Sequence, residues 1–237
     1  MWEFETVLSE VIPRTSSVRS FRFPVQGKNV RFRPGQFFFI TILVKGQPAE
    51  HHFSFSNSPT EKGYIEFTKR ITDSDFSQTL AAMTPGAWAR LRGPLGDFTL
   101  PLRQRKLSFL SGGIGITPLR SMLRYVMDKD GDCDASMLYG SSSVEEIVFR
   151  EELDLFAHRL PGLRLVHVLS GSSMPGGWMG RTGQINSDLI REVMPDYSER
   201  LHYVSGPPKM VVSLQGQLLA LGVPDRLIKI DSFTGYD

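Results

Sequence analysis

Residues 107–110 of this 237-residue chain form a short apolar run, residues 119–126 read as a helix, and between them stands Ser111-Gly112-Gly113-Ile114-Gly115-Ile116-Thr117-Pro118. A strand that ends in a tight glycine turn and passes at once into a helix leaves the chain few folds. Glycine lets the backbone come close to a neighbouring group, and the N–H groups of a helix's first turn have no partners within the helix. Together they make a cradle for an anion such as a diphosphate. Pro118 suits the first helical turn, where its missing N–H costs nothing. Alone, the same eight residues also describe a tight turn with no ligand.

The rhythm around this stretch narrows the choice. Strand-like runs at 107–110, 136–139, 163–169, 202–205 and 227–230 alternate with helix-like runs at 119–128, 145–158, 187–194 and 209–221. Such alternation predicts a parallel sheet with helices on both faces, which binds ligands at the carboxyl ends of its strands. Four strands end in small residues: at Ser111–Pro118, Tyr139-Gly140-Ser141-Ser142-Ser143, Ser170-Gly171 and Ser205-Gly206-Pro207-Pro208. All four ends share one sheet edge and predict a single long cleft, the shape a dinucleotide needs.

Residues 1–102 have a different rhythm. Apolar and polar residues alternate from Ser17 to Phe23, and short strands follow at 37–44, 53–56, 64–69 and 87–91, separated by Gly- and Pro-containing turns. This spacing predicts a sandwich or small barrel. One helix, 77–83, interrupts it after Asp73-Ser74-Asp75, which supplies cap oxygens and negative charge at a helix start. Arg103-Gln104-Arg105-Lys106 is a basic joint, so two domains are expected, 1–102 and 103–237. In His51-His52-Phe53-Ser54-Phe55-Ser56-Asn57-Ser58-Pro59, a regular strand puts Ser54, Ser56 and Ser58 on one face and the phenylalanines on the other. His51 and His52 then point apart, so no metal site is expected.

Composition excludes several classes. Net charge is +2, and nothing in it points to nucleic acid. Residues 1–102 carry 12 Lys and Arg against 9 Asp and Glu, a small basic excess that is read as ordinary solvated surface, though it would help an acidic protein partner dock. The single cysteine, Cys133, rules out an internal disulfide and any iron–sulfur cluster held by four cysteines of this chain. The longest apolar run, 37–44, falls far short of the ~20 residues a bilayer span requires. The first residues lack a signal-peptide pattern. A cytoplasmic protein that does not itself span a membrane is expected.

As an ordered set these motifs resemble the ferredoxin–NADP reductase superfamily over nearly the whole chain. Arg33-Pro34-Gly35-Gln36-Phe37 resembles the family's R-x-G-Q-(F/Y), and His51–Pro59 its flavin motif R-x-Y-S-x-x-S in a histidine-phenylalanine-serine form. Gly93-Pro94-Leu95-Gly96-Asp97-Phe98 resembles G-P-x-G-x-F, and Ser111–Pro118 resembles G-G-(I/T)-G-I-(A/T)-P. Tyr139-Gly140, Trp178-Met179-Gly180-Arg181-Thr182-Gly183 and Ser205-Gly206-Pro207-Pro208-Lys209-Met210 resemble Y-G-x-R, W-x-G-x-x-G and C-G-P-x-x-M.

The resemblance implies an N-terminal six-stranded antiparallel β-barrel binding FAD and a C-terminal α/β domain binding NADH or NADPH. It implies hydride transfer to flavin N5 and electron release to a separate partner such as ferredoxin, flavodoxin or a membrane redox protein. Phe53 takes the place of the aromatic ring against the flavin, Ser54 that of the serine beside N5, and Phe67, Thr68 and Lys69 the strand that passes it. His51 replaces an arginine, so the diphosphate is expected to lean on N–H groups near Phe76, Ser77 and Gln78. Gly112, Gly113, Gly115, Thr117, Tyr139, Gly140, Ser141, Gly206 and Pro207 match the nucleotide side. Ser205 replaces a cysteine beside the nicotinamide. Ser142 replaces an arginine that approaches the adenosine phosphate, which tilts the expectation slightly to NADH, with Arg181, Ser141 and Ser143 as substitutes. The tail resembles E-x-(F/Y), with Asp231 for glutamate. Phe233 is expected to cover the flavin, with Tyr236 the competing ring. Two other functions stay open: a free flavin or ferric reductase, and a non-catalytic subunit of a larger redox complex.

Overall fold

The computed structural model describes residues 1–101, 106–129, 131, 133–171 and 176–233. The first half contains β1 (Trp2–Val7), β2 (Glu10–Pro13), β3 (Val18–Pro24), β4 (Phe37–Val44), β5 (Gln47–Ser54), β6 (Tyr64–Arg70), α1 (Asp75–Ala82) and β7 (Trp88–Leu95). The second contains β8 (Lys106–Gly112), α2 (Ile116–Asp128), β9 (Asp134–Ser141), α3 (Arg150–Arg159), β10 (Leu163–Leu169), β11 (Arg181–Thr182), α4 (Ser187–Val193), β12 (Leu201–Gly206), α5 (Pro208–Ala220) and β13 (Ile228–Ser232).

In place of a six-stranded barrel, the first half gathers seven strands into two antiparallel sheets, β1-β7-β4-β5 and β2-β3-β6. The N-terminal residues account for the difference. Trp2, Phe4 and Thr6 alternate with exposed Glu3 and Glu5, so β1 has one buried face. At Leu8 and Ser9 the chain changes sheets: the Leu8 N–H donates to the Ala87 carbonyl at 2.8 Å and the Ser9 N–H to the Arg22 carbonyl at 2.9 Å. The sheets close on Phe21, Phe23, Phe38, Phe55 and Phe67, all fully buried.

β5 is longer than the expected strand at 53–56 and ends earlier, at Ser54. Beyond it the Phe55 N–H donates to Gln36 and the Ser56 N–H to Glu66, so the backbone crosses between sheets. Ser54, Ser56 and Ser58 therefore do not share one strand face. Ser56 instead donates to Glu66, a buried carboxylate also paired with Arg14 and Arg22.

The second half is a six-stranded sheet in the order β11-β10-β9-β8-β12-β13, parallel at every pairing. Leu107 and Phe109 of the central strand pack with α2 and α3, through Leu119, Met122, Leu153 and Phe156. Leu110 faces the other side and packs with α4 and α5, through Ile190, Val193, Val211 and Leu214. α3 begins at Arg150, five residues later than expected, because Phe149 holds a left-handed φ of 61° and the preceding residues form turns. The basic joint at 103–105 lies outside the described residues. Among those described, no helix is long and apolar enough to cross a membrane.

Candidate active site

The end of β5, the adjoining β6 and the start of α1 form a pocket that the second half closes with Thr117, Asp231 and Phe233. Phe53 is its floor. The ring stacks on Phe67 at 4.4 Å and lies 6.2 Å from Phe76 in a near-parallel array, while His51 sits 4.1 Å from Phe76. The result is a shelf of flat apolar surface with polar groups at its margin.

Those groups carry little fixed charge. Burial, and then the neighbouring Lys69 ammonium, lower the His51 pKa, so the ring is a neutral single donor at neutral pH. Burial pulls Lys69 down to about 8, and its ammonium donates to the Arg70 carbonyl at 3.0 Å. Opposite, the Ser54 hydroxyl donates to Asp231 at 3.4 Å, and burial pushes this carboxyl up to about 6.

The second site is a cleft of about 560 Å³ across the carboxyl ends of β8, β9, β10 and β12. Gly112, Gly113, Gly140, Ser141, Ser142, Ser170 and Pro207 line it, so the four strand ends that sequence grouped on one edge do meet. Gly113 has φ 53°, and a Cβ there would meet nothing within 4 Å. A Cβ on Gly115 would lie 2.3 Å from the Ser205 carbonyl oxygen, so this glycine serves close packing under the turn. No side chain caps the 3-10 turn Gly113–Gly115 that leads into α2. The Ile116 N–H at the start of α2 is bonded to the Gly113 carbonyl and Pro118 has no N–H, so the backbone that faces the cleft is that of the glycine turn. Phe233 lines both this cleft and the aromatic pocket.

Phe67 is fully buried beneath Phe53 and offers only backbone to a ligand, the kind of contact the resemblance implies for it. Several other predicted residues stand elsewhere. The Ser77 N–H is taken by the Ser74 hydroxyl at 3.3 Å and the Gln78 N–H by the Ser74 carbonyl at 2.9 Å, so neither serves a diphosphate. Tyr139 is fully buried: its hydroxyl donates to the Gly113 carbonyl at 2.9 Å and accepts from the Val148 N–H at 3.3 Å. It shapes the glycine turn without facing the cleft. Ser205 and Gly206 are buried under the turn, and the Ser205 hydroxyl has no hydrogen-bond partner among the described residues. Arg181 is exposed at the outer edge of the sheet, where it pairs with Glu192. Tyr236 lies outside the described residues. Ser74 caps α1 as the sequence suggests, but sequence reasoning placed neither Ser74 nor Asp231 in the pocket that both line.

Family models match both halves: an oxidoreductase FAD-binding domain over residues 5–100 and an oxidoreductase NAD-binding domain over residues 109–215. A ferredoxin NADP+ reductase from Neisseria gonorrhoeae, with bound FAD and NADP, shares the fold at TM-score 0.81 and 20% identity over 97% of this chain and 98% of that one. The chain belongs to the ferredoxin–NADP reductase superfamily. The FAD/NAD-binding domain of Vibrio cholerae nitric oxide dioxygenase aligns at TM-score 0.86 and 22% identity, over 97% of this chain and 98% of its own. The glycine betaine monooxygenase reductase subunit of Chromohalobacter salexigens is 30% identical over 219 residues, 90% of this chain and 59% of that protein. The chain thus spans about three fifths of that relative's length.

The chemistry of the donor set fits the cofactors this superfamily binds. An aromatic shelf with a hydroxyl and carboxyl at its edge suits an isoalloxazine, and Lys69 and His51 suit its diphosphate. The open glycine turn suits the diphosphate of NADH or NADPH.

Proposed function

We propose that this chain is an NAD(P)H-dependent flavoprotein reductase. Its two domains divide at 102/103, and it takes hydride from a nicotinamide into FAD and passes electrons to a separate redox protein in the cytoplasm. The observation that carries this is Phe233, a wall common to the aromatic pocket and the nucleotide cleft, which makes the two sites neighbours. Bound FAD supplies the two-electron to one-electron conversion. The chain's residues do the rest. Phe53 orients the flat ring from below, and Thr68, Lys69 and His51 hold its polar end. Gly112, Gly113 and the backbone of the glycine turn hold the nucleotide diphosphate, with Gly140, Ser141, Ser142 and Pro207 along the cleft. Phe233 excludes water until a nicotinamide displaces it. Asp231, whose burial raises its pKa to about 6, takes up and returns a proton at its carboxyl beside the Ser54 hydroxyl.

The reading leans to NADH because Ser142 lines the cleft where the superfamily motif carries an arginine. Arg70, which also lines it, is paired with Glu146 at 2.7 Å, and Arg181, outside it, with Glu192; Lys209 is the lining cation that would meet a 2′-phosphate. Anaerobic mixing of the FAD-loaded protein with NADH and with NADPH tests the reading: bleaching of the flavin absorbance is expected with NADH foremost, and no bleaching with either overturns it. One observation favours a second reading, a reductase that uses free flavin. The neutral His51 and the N–H groups already bound by Ser74 make a weak diphosphate seat. FAD lost on gel filtration at micromolar protein supports that reading, and retained colour opposes it.

A further inference from the structure

We infer that Arg120 is a positioning residue: its guanidinium bolts the flavin-side loop to α2 and so fixes how far apart the flavin pocket and the nucleotide cleft stand. The inference rests on the reductase reading above. Arg120 lies on α2 and is 4% exposed. All five of its N–H donors are used. Nη1 donates to the Ser56 carbonyl at 2.8 Å and to Glu61 Oε2 at 2.5 Å. Nη2 donates to Glu61 Oε1 at 3.1 Å and to Glu152 Oε1 at 2.6 Å, and Nε donates to Glu152 Oε2 at 2.8 Å. One planar fork therefore ties the loop after β5 to α2 and α3. A lysine, with a single nitrogen on a flexible stem, cannot bridge the same three acceptor groups in this geometry.

The placement of the bolt gives it a function beyond holding the halves together. Ser56 follows Ser54 by two residues, and Arg120 follows Thr117 by three, one turn of α2; Ser54 and Thr117 both line the flavin pocket. The same helix begins at the glycine turn. Two further ties lie alongside: the Ser121 hydroxyl donates to the Asn57 carbonyl at 2.7 Å, and the Thr60 hydroxyl to Asp128 at 2.6 Å. α2 cannot slide along residues 56–61 without breaking all three. The Phe149 ring lies between Arg14 of the first half, at 4.9 Å, and Arg120, at 5.5 Å. Burial opposes charge on both Arg120 and Glu61. Even so, Arg120 is raised above its ordinary value, chiefly by Glu152 and Glu61, and Glu61 is lowered, chiefly by Arg120. The pair stays ionised. Hydride transfer depends steeply on donor–acceptor distance, and a misplacement of about 1 Å can cost on the order of 100-fold in rate.

Glu61→Gln is the main test, because Arg120 keeps Glu152 and the shape is preserved; Arg120→Lys is the second. Three quantities are read: the anaerobic hydride-transfer rate, the long-wavelength nicotinamide–flavin charge-transfer absorbance, and amide hydrogen exchange over residues 56–61 in FAD-free protein. The expected result is FAD and NADH affinities within about twofold of wild type, hydride transfer at least tenfold slower, a weaker charge-transfer band and faster exchange. A variant with faster exchange but wild-type rate and band overturns the positioning role. Unchanged exchange in both variants overturns the bolt itself. If neither nucleotide reduces the wild type, the reductase reading fails and takes the hydride role with it. That outcome is told apart from failure of the bolt because the unaltered protein is then inert.

Discussion

The Ser54 hydroxyl and the Asp231 carboxylate meet at 3.4 Å across 177 residues of sequence, joining the end of β5 to the last strand of the parallel sheet. Burial holds the Asp231 pKa near 6, so the folded chain binds this proton more tightly than the unfolded chain does. The raised pKa therefore lowers stability as pH rises from about 4 to about 6, and the deficit persists above that. Asp231→Asn removes it. Urea unfolding of FAD-free protein is expected to show a gain on the order of 1–2 kcal/mol at pH 8 and none at pH 3.5, the size being reduced from the full shift for partial solvent screening. An ionised carboxylate beside the flavin also opposes arrival of hydride. The reduction rate of the wild type should rise as pH falls through about 6, and that of Asp231→Asn should stay flat. A wild-type rate without a step near pH 6 dismisses the coupling.

His51 stands where the superfamily's flavin motif has an arginine, and it is a neutral single donor on the Phe76 ring. One neutral hydrogen bond contributes about 0.5–1.5 kcal/mol, so His51→Ala should weaken FAD binding roughly twofold to tenfold. Titration of FAD-free protein by flavin fluorescence quenching measures it. Tight FAD left unaffected by the substitution removes His51 from the site.

Much of this architecture could be read in the sequence because its signals are local. The switch from period-two alternation to strand–helix alternation set the antiparallel first half apart from the parallel second half, and the glycine turn marked the cleft. The failures are non-local. Nothing in Leu8-Ser9 signals that the chain changes sheets there, since that depends on carbonyls at Ala87 and Arg22. Tyr139 was implied as a ligand contact by the resemblance of Tyr139-Gly140 to Y-G-x-R, but its phenol turns inward to Gly113. Ser77 and Gln78 occupy a helix start, yet Ser74 had already taken their N–H groups. Asp231 gained a role only when the parallel pairing of β12 with β13 brought it to the pocket beside Ser54.

Gly113 and Gly115 look alike in the motif and are expected to fail differently. At Gly115 an added methyl group meets the Ser205 carbonyl oxygen at 2.3 Å, so Gly115→Ala forces backbone apart and should lower the melting temperature by many degrees. At Gly113 the space is open, and the cost is the left-handed φ of 53°, about 1–2 kcal/mol. Gly113→Ala should therefore fold and bind FAD normally while NADH affinity falls several-fold, because the methyl group enters the cleft. Thermal melts beside NADH titrations separate the two, and equal effects in both assays would refute the distinction.

Phe233 faces two demands that oppose each other. It lines the aromatic pocket and the nucleotide cleft together, and its N–H donates to the Gly206 carbonyl at 3.1 Å, which anchors the residue at the end of β13. On the proposed reading, a nicotinamide that stacks on the flavin takes the space its ring fills, part of the nucleotide's binding energy is consumed in moving the ring, and the ring's return helps expel the product. Phe233→Ala removes both effects. Affinity for NAD+ should rise about tenfold, the charge-transfer band should strengthen, and steady-state turnover should fall as product release becomes limiting. Phe233→Trp should shift affinity the other way. Stopped-flow reduction compared with steady-state turnover separates the hydride step from release. If Phe233→Ala leaves cofactor affinity and reduction rate unchanged, the ring is only a wall and the gate is dismissed.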